Sequence, residues 1–200
     1  MGHPVGYGVR MKVVHVSPPD GSPRGLGAVR LHDALRRLGH DSTILVLSRP
    51  GPGLARQLPP CDVLNLHDVI ETIDYHRFFR GLPKDVPVVW RLTDVSAFAL
   101  GPLRKPWVRM QRGLQHVTGR LHLVAPTGDV AERAHQTPLL APFAVSVIPD
   151  DANPVEVHPQ DEKPFATREY SCAAVQARHY ESLYKCLLPG GRWSPFDAPA

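Results

Sequence analysis

The sequence predicts an α/β protein built on one doubly wound parallel sheet, with a further helix appended after it. Short apolar, β-branched runs alternate with amphipathic helical segments as far as about residue 149. That alternation is typical of a parallel sheet whose strands are joined by right-handed crossovers and covered by helices on both faces. A last amphipathic segment follows an irregular stretch and supplies the appended helix.

Six segments are predicted to be strands because each is short and rich in branched aliphatic residues. They are KVVHVS (12–17), STILVLS (42–48), DVLNLH (62–67), VPVVWRL (86–92), LHLVAP (121–126) and FAVSVIP (143–149). Helices are predicted at about 28–38, near 70–80, and over 103–118 and 128–136. Gly39 is predicted to cap the first of them. The Pro- and Gly-rich RPGPGLARQLPP is predicted to be a loop.

The domain organisation follows from this pattern. A Rossmann-like domain is expected over 11–149 and an irregular linker over 150–168. A helix over 169–188 should pack back on the domain, because its apolar residues recur every three or four positions. The ends, 1–10 and 189–200, are expected to be flexible.

Composition excludes several classes of protein. A hydrophobic fraction of 42% is that of a globular chain, and no apolar run approaches the roughly 18 residues of a membrane span. Cys61, Cys172 and Cys186 lack metal-site spacing, so reduced thiols and a cytoplasmic location are expected. The histidines show no ligand pattern, so no metal is expected. Charge and aromatic content are too low for nucleic-acid binding.

One segment is strongly basic. Residues 102–120 contain Arg104, Lys105, Arg109 and Arg112 and no acidic residue. A basic amphipathic surface of this kind favours contact with anionic lipid, here at the inner face of the membrane. A solvated helix face explains the same pattern, and the sequence leaves both interpretations open.

Candidate ligand-binding residues lie where predicted strands end. Ligands of an open parallel sheet bind beyond the carboxyl ends of the strands, where the strand order reverses. The loops predicted there are 18–27, which contains Gly21 and Gly25, and 93–102. Glycines before a helix suit a bound phosphate, although a tight turn without ligand has the same composition.

His67 ends the third predicted strand beside Asp68, and Thr93 with Asp94 ends the fourth. A histidine there can act as a base or contact a sugar, and it can equally be a packing residue. Asp94 can orient a hydroxyl group or cap the loop.

The order of these motifs resembles family 4 glycosyltransferases of the GT-B fold, in particular those that assemble bacterial cell-surface polysaccharide. The resemblance covers about 11–153 and rests on MKVVHVS, AVRLHDALRRLGHDSTILV, CDVLNLHDV, LPKDVPVVWRLTDVSAF, LHLVAPTGDVAERA and VSVIPDDAN. SCAAVQARHYESLYKCLL is similar to the final helix of these enzymes. The resemblance implies a retaining transfer without bound metal or other cofactor, from a nucleotide-sugar to a glycan or lipid-linked acceptor.

The resemblance also implies what is missing. In the family an N-terminal domain holds the acceptor and a second domain holds the nucleotide-sugar. Here 150–168 stands where the second domain would be, so the chain resembles the acceptor-side half plus the final helix. Such a protein is expected to be weakly active or inactive alone. It would need a donor domain from a separate chain, or a homodimer.

Site residues carried over from the family are Asp94 and His67 as catalytic residues and Gly21, Ser22, Gly25, Thr93 and Phe98 as substrate-binding residues. The sequence departs from the family at Ser22 and Pro23, where a glycine pair is usual, and at Thr93, where histidine is common. Two alternatives stay open. One is a non-catalytic binding module on the same domain. The other is an NADP-binding protein, although Arg30 replaces the third glycine of a dinucleotide motif.

Overall fold

The computed structural model describes residues 9–18, 23–47, 53–69, 73–98, 105–150 and 165–190. The strands are β1 (Lys12–Ser17), β2 (Asp41–Val46), β3 (Val63–His67), β4 (Val88–Arg91), β5 (Leu121–Ala125) and β6 (Ala144–Val147). The α-helices are α1 (Pro23–Arg37), α2 (Leu54–Gln57), α3 (Tyr75–Gly81), α4 (Lys105–Leu114), α5 (Gly128–Gln136) and α6 (Phe165–Leu187). Short 3-10 helices lie at Ser96–Phe98 and Gln115–Val117.

The strands form one parallel sheet in the order β2-β1-β3-β4-β5-β6. This confirms the predicted α/β class, the doubly wound sheet and the C-terminal helix. The direction of winding reverses between β1 and β3. Because ligands of such sheets bind at the reversal, the crevice lies between the loops that follow β1 and β3. The predicted second loop, 93–102, follows β4 instead, one strand away from the crevice.

One face of the sheet is covered by α2, α3, α4 and α5 and is apolar. Alternate strand residues such as Val16, Leu66 and Trp90 are fully buried there. Successive side chains of a strand point to opposite faces, so these even-numbered positions share a face along β1, β3 and β4. Phe79 and Phe98 pack on Trp90, with ring centroids 6.0 and 5.5 Å away.

The other face is covered by α1 and α6. Val13, Val63 and Val89 are buried beneath them at the amino-terminal part of the sheet. The predicted stripe of α6 supplies most of the cover, because its side chains from Ala173 to Tyr184 that face the sheet are buried. Further along these same strands the face is polar, and the candidate site lies there.

Several element boundaries differ from the sequence prediction, and the differences at α1, α2 and α6 change how the chain is interpreted. Helix α1 begins at Pro23 rather than near Ala28, and a proline at the first helical position needs no N–H partner. Gly25 is therefore part of the helix and not of a phosphate loop. The stretch predicted as a loop contains the single-turn helix α2. Helix α6 begins at Phe165, four residues before the prediction. Gly39, with φ 91°, ends α1 as predicted.

Most of the predicted linker and flexible ends fall outside the described residues. Within the described part of the chain, no helix combines the length and apolarity that a membrane crossing requires. The connection between β6 and α6, residues 148–164, is far shorter than the roughly 50 residues of a small domain.

Candidate functional site

A buried polar layer lies on the α1/α6 face where β1, β3 and β4 end. Its strand residues are His15, Ser17, Asn65, His67 and Arg91. They continue the alternation that places Val13, Val63 and Val89 on this face, so all five point toward α1 and α6. Each of the five residues is at most 7% exposed. Burial of this many polar groups is costly unless partners satisfy them.

His15 and His67 form a hydrogen-bonded pair across neighbouring strands. The distance between His15 Nδ1 and His67 Nε2 is 2.9 Å, and both residues are fully buried. Burial, with a smaller effect from His32, lowers the pKa of His15 to about 3. Burial, His15 and then Arg91 hold the pKa of His67 well below its ordinary value. The pair is therefore neutral at pH 7.

Asp68 follows directly after β3 and is held in an uncommon conformation. Its φ of 46° lies in the left-handed region, which costs energy for most side chains and is tolerated best by Asn and Asp. Asp68 Oδ1 accepts hydrogen bonds from the backbone N–H and the hydroxyl of Thr93. Thr93 thus fixes the carboxylate at the mouth of the crevice between β1 and β3.

Arg91 brings three parts of the chain together. Its guanidinium pairs with the Asp150 carboxylate, and its Nη1 lies 3.9 Å from Asp68 Oδ2. A Cβ atom added to Gly27 of α1 would lie 3.1 Å from Arg91 Nη1, so a larger residue there would require the guanidinium to shift by a few tenths of an ångström.

Helix α6 closes the layer from above. Tyr184 Oη accepts a 2.6 Å hydrogen bond from Asn65 Nδ2, and Gln176 Nε2 donates to the Pro149 carbonyl at 2.9 Å. Burial, followed by the neighbouring Tyr180, raises the pKa of Tyr184 well above its ordinary value. The Tyr184 side chain is therefore a neutral hydroxyl at pH 7.

Several atoms of the layer have no hydrogen-bond partner among the described residues. They are Ser17 Oγ, Asp68 Oδ2, Asn65 Oδ1 and the outer ring nitrogens His15 Nε2 and His67 Nδ1. Buried polar groups are almost always paired, so such a cluster needs an explanation. Hydroxyl groups of a ligand can supply both the donors and the acceptors that these atoms lack.

The predicted site residues separate into two groups. The structure brings His67 and Thr93 together through Asp68 and Arg91. Asp94 stands apart: its side chain is half exposed, and its carboxylate is engaged by the backbone N–H and hydroxyl of Ser96. The hydrogen bonds from Ser96 are the largest of the effects that lower the pKa of Asp94, and the nearby Arg133 lowers it further. Burial of the carboxylate opposes both effects.

The remaining predicted residues lie elsewhere. Phe98 is 1% exposed in the apolar core on the opposite face of the sheet, so it packs against Trp90. Gly25 is buried in the first turn of α1, and Gly21 and Ser22 lie outside the described residues. Arg109 and Arg112 are exposed on α4, while Arg104 and the side chain of Lys105 lie outside the description.

Sequence reasoning missed most of the polar layer. His15, Asn65 and Arg91 are polar residues inside strands that are otherwise apolar, and this alone marks one face of the sheet as unusual. Asp150 lies in the VSVIPDDAN motif, but the sequence does not indicate that its partner is Arg91. Within the described residues, no three His, Cys, Asp or Glu side chains are grouped as a metal site would require.

Comparisons with known proteins add no assignment. No protein-family model matches the chain, and no curated protein matches it with significant similarity.

Proposed function

We propose that this protein is the acceptor-side half of a retaining, nucleotide-sugar-dependent glycosyltransferase of cell-surface glycan synthesis. The observation that supports the proposal most is the set of unpartnered buried polar atoms at the reversal point of the sheet. Carboxylate, hydroxyl and imidazole groups in one crevice suit a ligand with several hydroxyl groups. The resemblance of the motif order to family 4 glycosyltransferases adds the class of reaction.

Glycosyl transfer requires the acceptor hydroxyl to be held against the anomeric carbon while the departing diphosphate is stabilised. In the proposal Asp68 and His67 hold and orient the hydroxyl. Residues 148–164 are too short to contain a nucleotide-sugar domain. The proposal therefore assigns donor binding to a domain outside the described residues, for example on a separate polypeptide, and the acceptor-side half alone should transfer sugar very slowly.

The carboxylate of Asp68 is assigned the main binding role because one of its oxygens is fixed by Thr93, while the other lies 3.9 Å from Arg91 Nη1 and has no hydrogen-bond partner among the described residues. The resemblance implies Asp94 as a catalytic residue, but its carboxylate already accepts hydrogen bonds from the backbone N–H and the hydroxyl of Ser96. The proposal therefore assigns acceptor binding to Asp68. This residue directly follows β3, one of the two strands that border the crevice.

The test is a pair of calorimetric titrations of the purified chain. One uses a panel of methyl glycosides of common hexoses, and the other uses UDP-, GDP- and dTDP-sugars. We expect weak glycoside binding that disappears in Asp68→Asn, and no binding of the nucleotide-sugars. Micromolar binding of a nucleotide-sugar, or glycoside binding that is unaffected by Asp68→Asn, would contradict the proposal.

A non-catalytic binding module is the second candidate, and one observation favours it. Asp150, the first residue of the predicted linker, reaches into the site and occupies the guanidinium of Arg91. A binding module would bind the glycosides and remain without transferase activity when a donor-binding polypeptide is added. Transfer restored by such a polypeptide, with a radiolabelled nucleotide-sugar as the readout, would decide for the transferase.

A further inference from the structure

The hydrogen bond between His15 and His67 restricts where their ring protons can be. A neutral imidazole carries one ring proton. Two neutral rings that share one hydrogen bond place one of their two protons in it, so one proton remains for the two outer nitrogens. Whichever tautomers are present, one of His15 Nε2 and His67 Nδ1 is a donor and the other is an acceptor.

This arrangement can move a proton without storing charge. A proton taken up at His67 Nδ1 allows the Nε2 proton of His67 to pass to His15 Nδ1, and His15 Nε2 then gives up its own proton. Both outer nitrogens are buried and lack hydrogen-bond partners among the described residues, so neither is already engaged by the protein there. Burial disfavours a lasting imidazolium, which suits transfer through the pair and not accumulation on it.

A third imidazole extends the path toward the surface. His32 of α1 has its ring centroid 6.3 Å from that of His15, at an interplanar angle of 86°. The two rings pack edge to face, so a proton would pass between them through a bridging water molecule. His32 Nδ1 is 2.8 Å from Ser42 Oγ of β2, and the His32 side chain is 15% exposed. The three rings therefore run from the carboxyl end of β3 to the flank between α1 and β2.

We propose that His67, His15 and His32 form a proton relay that takes the proton of a bound hydroxyl group to solvent. The identity of that hydroxyl rests on the acceptor site proposed above. The O–H bond of the acceptor breaks and its proton goes to His67 Nδ1. The oxygen uses its electron pair to bond the anomeric carbon of a nucleotide-sugar, and the diphosphate leaves with the pair of the broken bond.

The groups that face the relay are consistent with this role. Arg91 of β4 lies on the His67 side and, with burial, keeps that ring neutral. Asp33 and Arg36 of α1 lie on the His32 side, where Asp33 favours and Arg36 disfavours the protonated ring. Burial, opposed by Asp33, lowers the pKa of His32, so the relay has a fully buried inner end and a partly exposed outer end from which a proton can leave.

The test follows the ring protons directly and needs no ligand. In the full chain labelled with 15N-histidine, long-range proton–nitrogen spectra distinguish bare from protonated ring nitrogens. We expect one protonated nitrogen on each of His15 and His67 at pH 7. After transfer to deuterated water, the shared ring proton should exchange at least tenfold more slowly in His32→Gln than in the wild-type protein.

His122→Gln is the matched control, because His122 is also partly buried and bonded to a serine, with its Nε2 2.9 Å from Ser146 Oγ, but lies on β5. It should leave the exchange rate unchanged. Ser42→Ala, which keeps the His32 ring but frees it, should slow exchange as well. Equal rates in His32→Gln and wild type, with unchanged backbone amide exchange in β1 and β3, would overturn the relay.

Adding a methyl glycoside separates this inference from the proposed function. If the acceptor site is as described, the glycoside shifts the His67 ring nitrogens. Slowed exchange in His32→Gln without a glycoside-induced shift of His67 would support the relay and contradict the acceptor site. A glycoside-induced shift of His67 without slowed exchange in His32→Gln would support the acceptor site and contradict the relay.

Discussion

Arg91 at the end of β4 is ion-paired with Asp150, which lies beyond β6, so the contact bridges across β5. The guanidinium side chain is 8% exposed and the Asp150 side chain 23%. The pair therefore joins the end of the sheet to the start of the connection to α6, in surroundings where screening by water is weak.

Arg91→Gln should strongly destabilise the protein. Removing the cation leaves Asp68 and Asp150 without their shared partner, and such losses cost about 3–5 kcal/mol. Asp150→Asn should cost less, because Asp68 still faces the guanidinium. Urea unfolding curves measure both. Arg133→Gln is the control, since its contact with Asp94 is 4.0 Å long and half exposed and should contribute nothing measurable.

Stability should fall as the solution is acidified below about pH 6.5. The unfolded histidines take up protons near their ordinary pKa of 6.5, whereas His15 in the folded protein does so only near 3. Between these values the unfolded state binds more protons, so each buried histidine removes about 1.4 kcal/mol per pH unit. The loss begins at 6.5 and continues toward 3.

The measurement is the free energy of unfolding in urea from pH 8 to pH 5, where most carboxylates stay ionised. His15→Asn should be less stable at pH 8 and should show a shallower decline. A wild-type free energy that stays constant over this range would contradict the buried, neutral pair.

Substitutions of the two carboxylates Asp68 and Asp94 should have opposite effects on ligand binding. Asp68→Asn keeps an oxygen for Thr93 and tolerates the left-handed backbone, yet it replaces the unpartnered oxygen by an amide nitrogen. We expect it to abolish methyl glycoside binding with little loss of stability. Asp94→Asn should leave binding within twofold of wild type, as measured by calorimetry. The reverse outcome would restore Asp94 as the acceptor-binding residue.

Two helical glycines should respond oppositely to alanine. A Cβ on Gly113 would lie 2.7 Å from the backbone carbon of Tyr75, so α4 cannot keep its distance from α3. We expect Gly113→Ala to destabilise by about 2 kcal/mol, in the range of overpacked cores. Gly128, at the start of α5, has nothing within 4 Å of such a Cβ. Gly128→Ala should stabilise by up to about 1 kcal/mol, and thermal unfolding of both variants measures the difference.

The fold could be predicted because its determinants are local. Branched aliphatic runs such as VVHV and VLNL form strands wherever a sheet can bury them, and all six predicted strands are present. The order of the strands is not local, because it depends on which side each crossover packs. For that reason the sequence predicted the crevice between the loops after β1 and β4, whereas the reversal lies between β1 and β3.

The candidate site depends on contacts between distant segments, which no single motif encodes. His15 and His67 meet because β1 and β3 pair in the register that sets His15 opposite Asn65. Phe98 was predicted to bind substrate on the basis of the family resemblance. The short 3-10 helix at Ser96–Phe98 turns its ring into the core instead.

The position of α6 has a consequence for the order of events in folding. Tyr184 is hydrogen-bonded to Asn65, 119 residues earlier in the chain, and α6 packs directly on α1. Closing so long a loop is entropically expensive and comes late. While the chain is being synthesised, the polar layer of β1 and β3 is complete long before its cover exists. We therefore expect α6 to dock on this face after the strands of the sheet have paired.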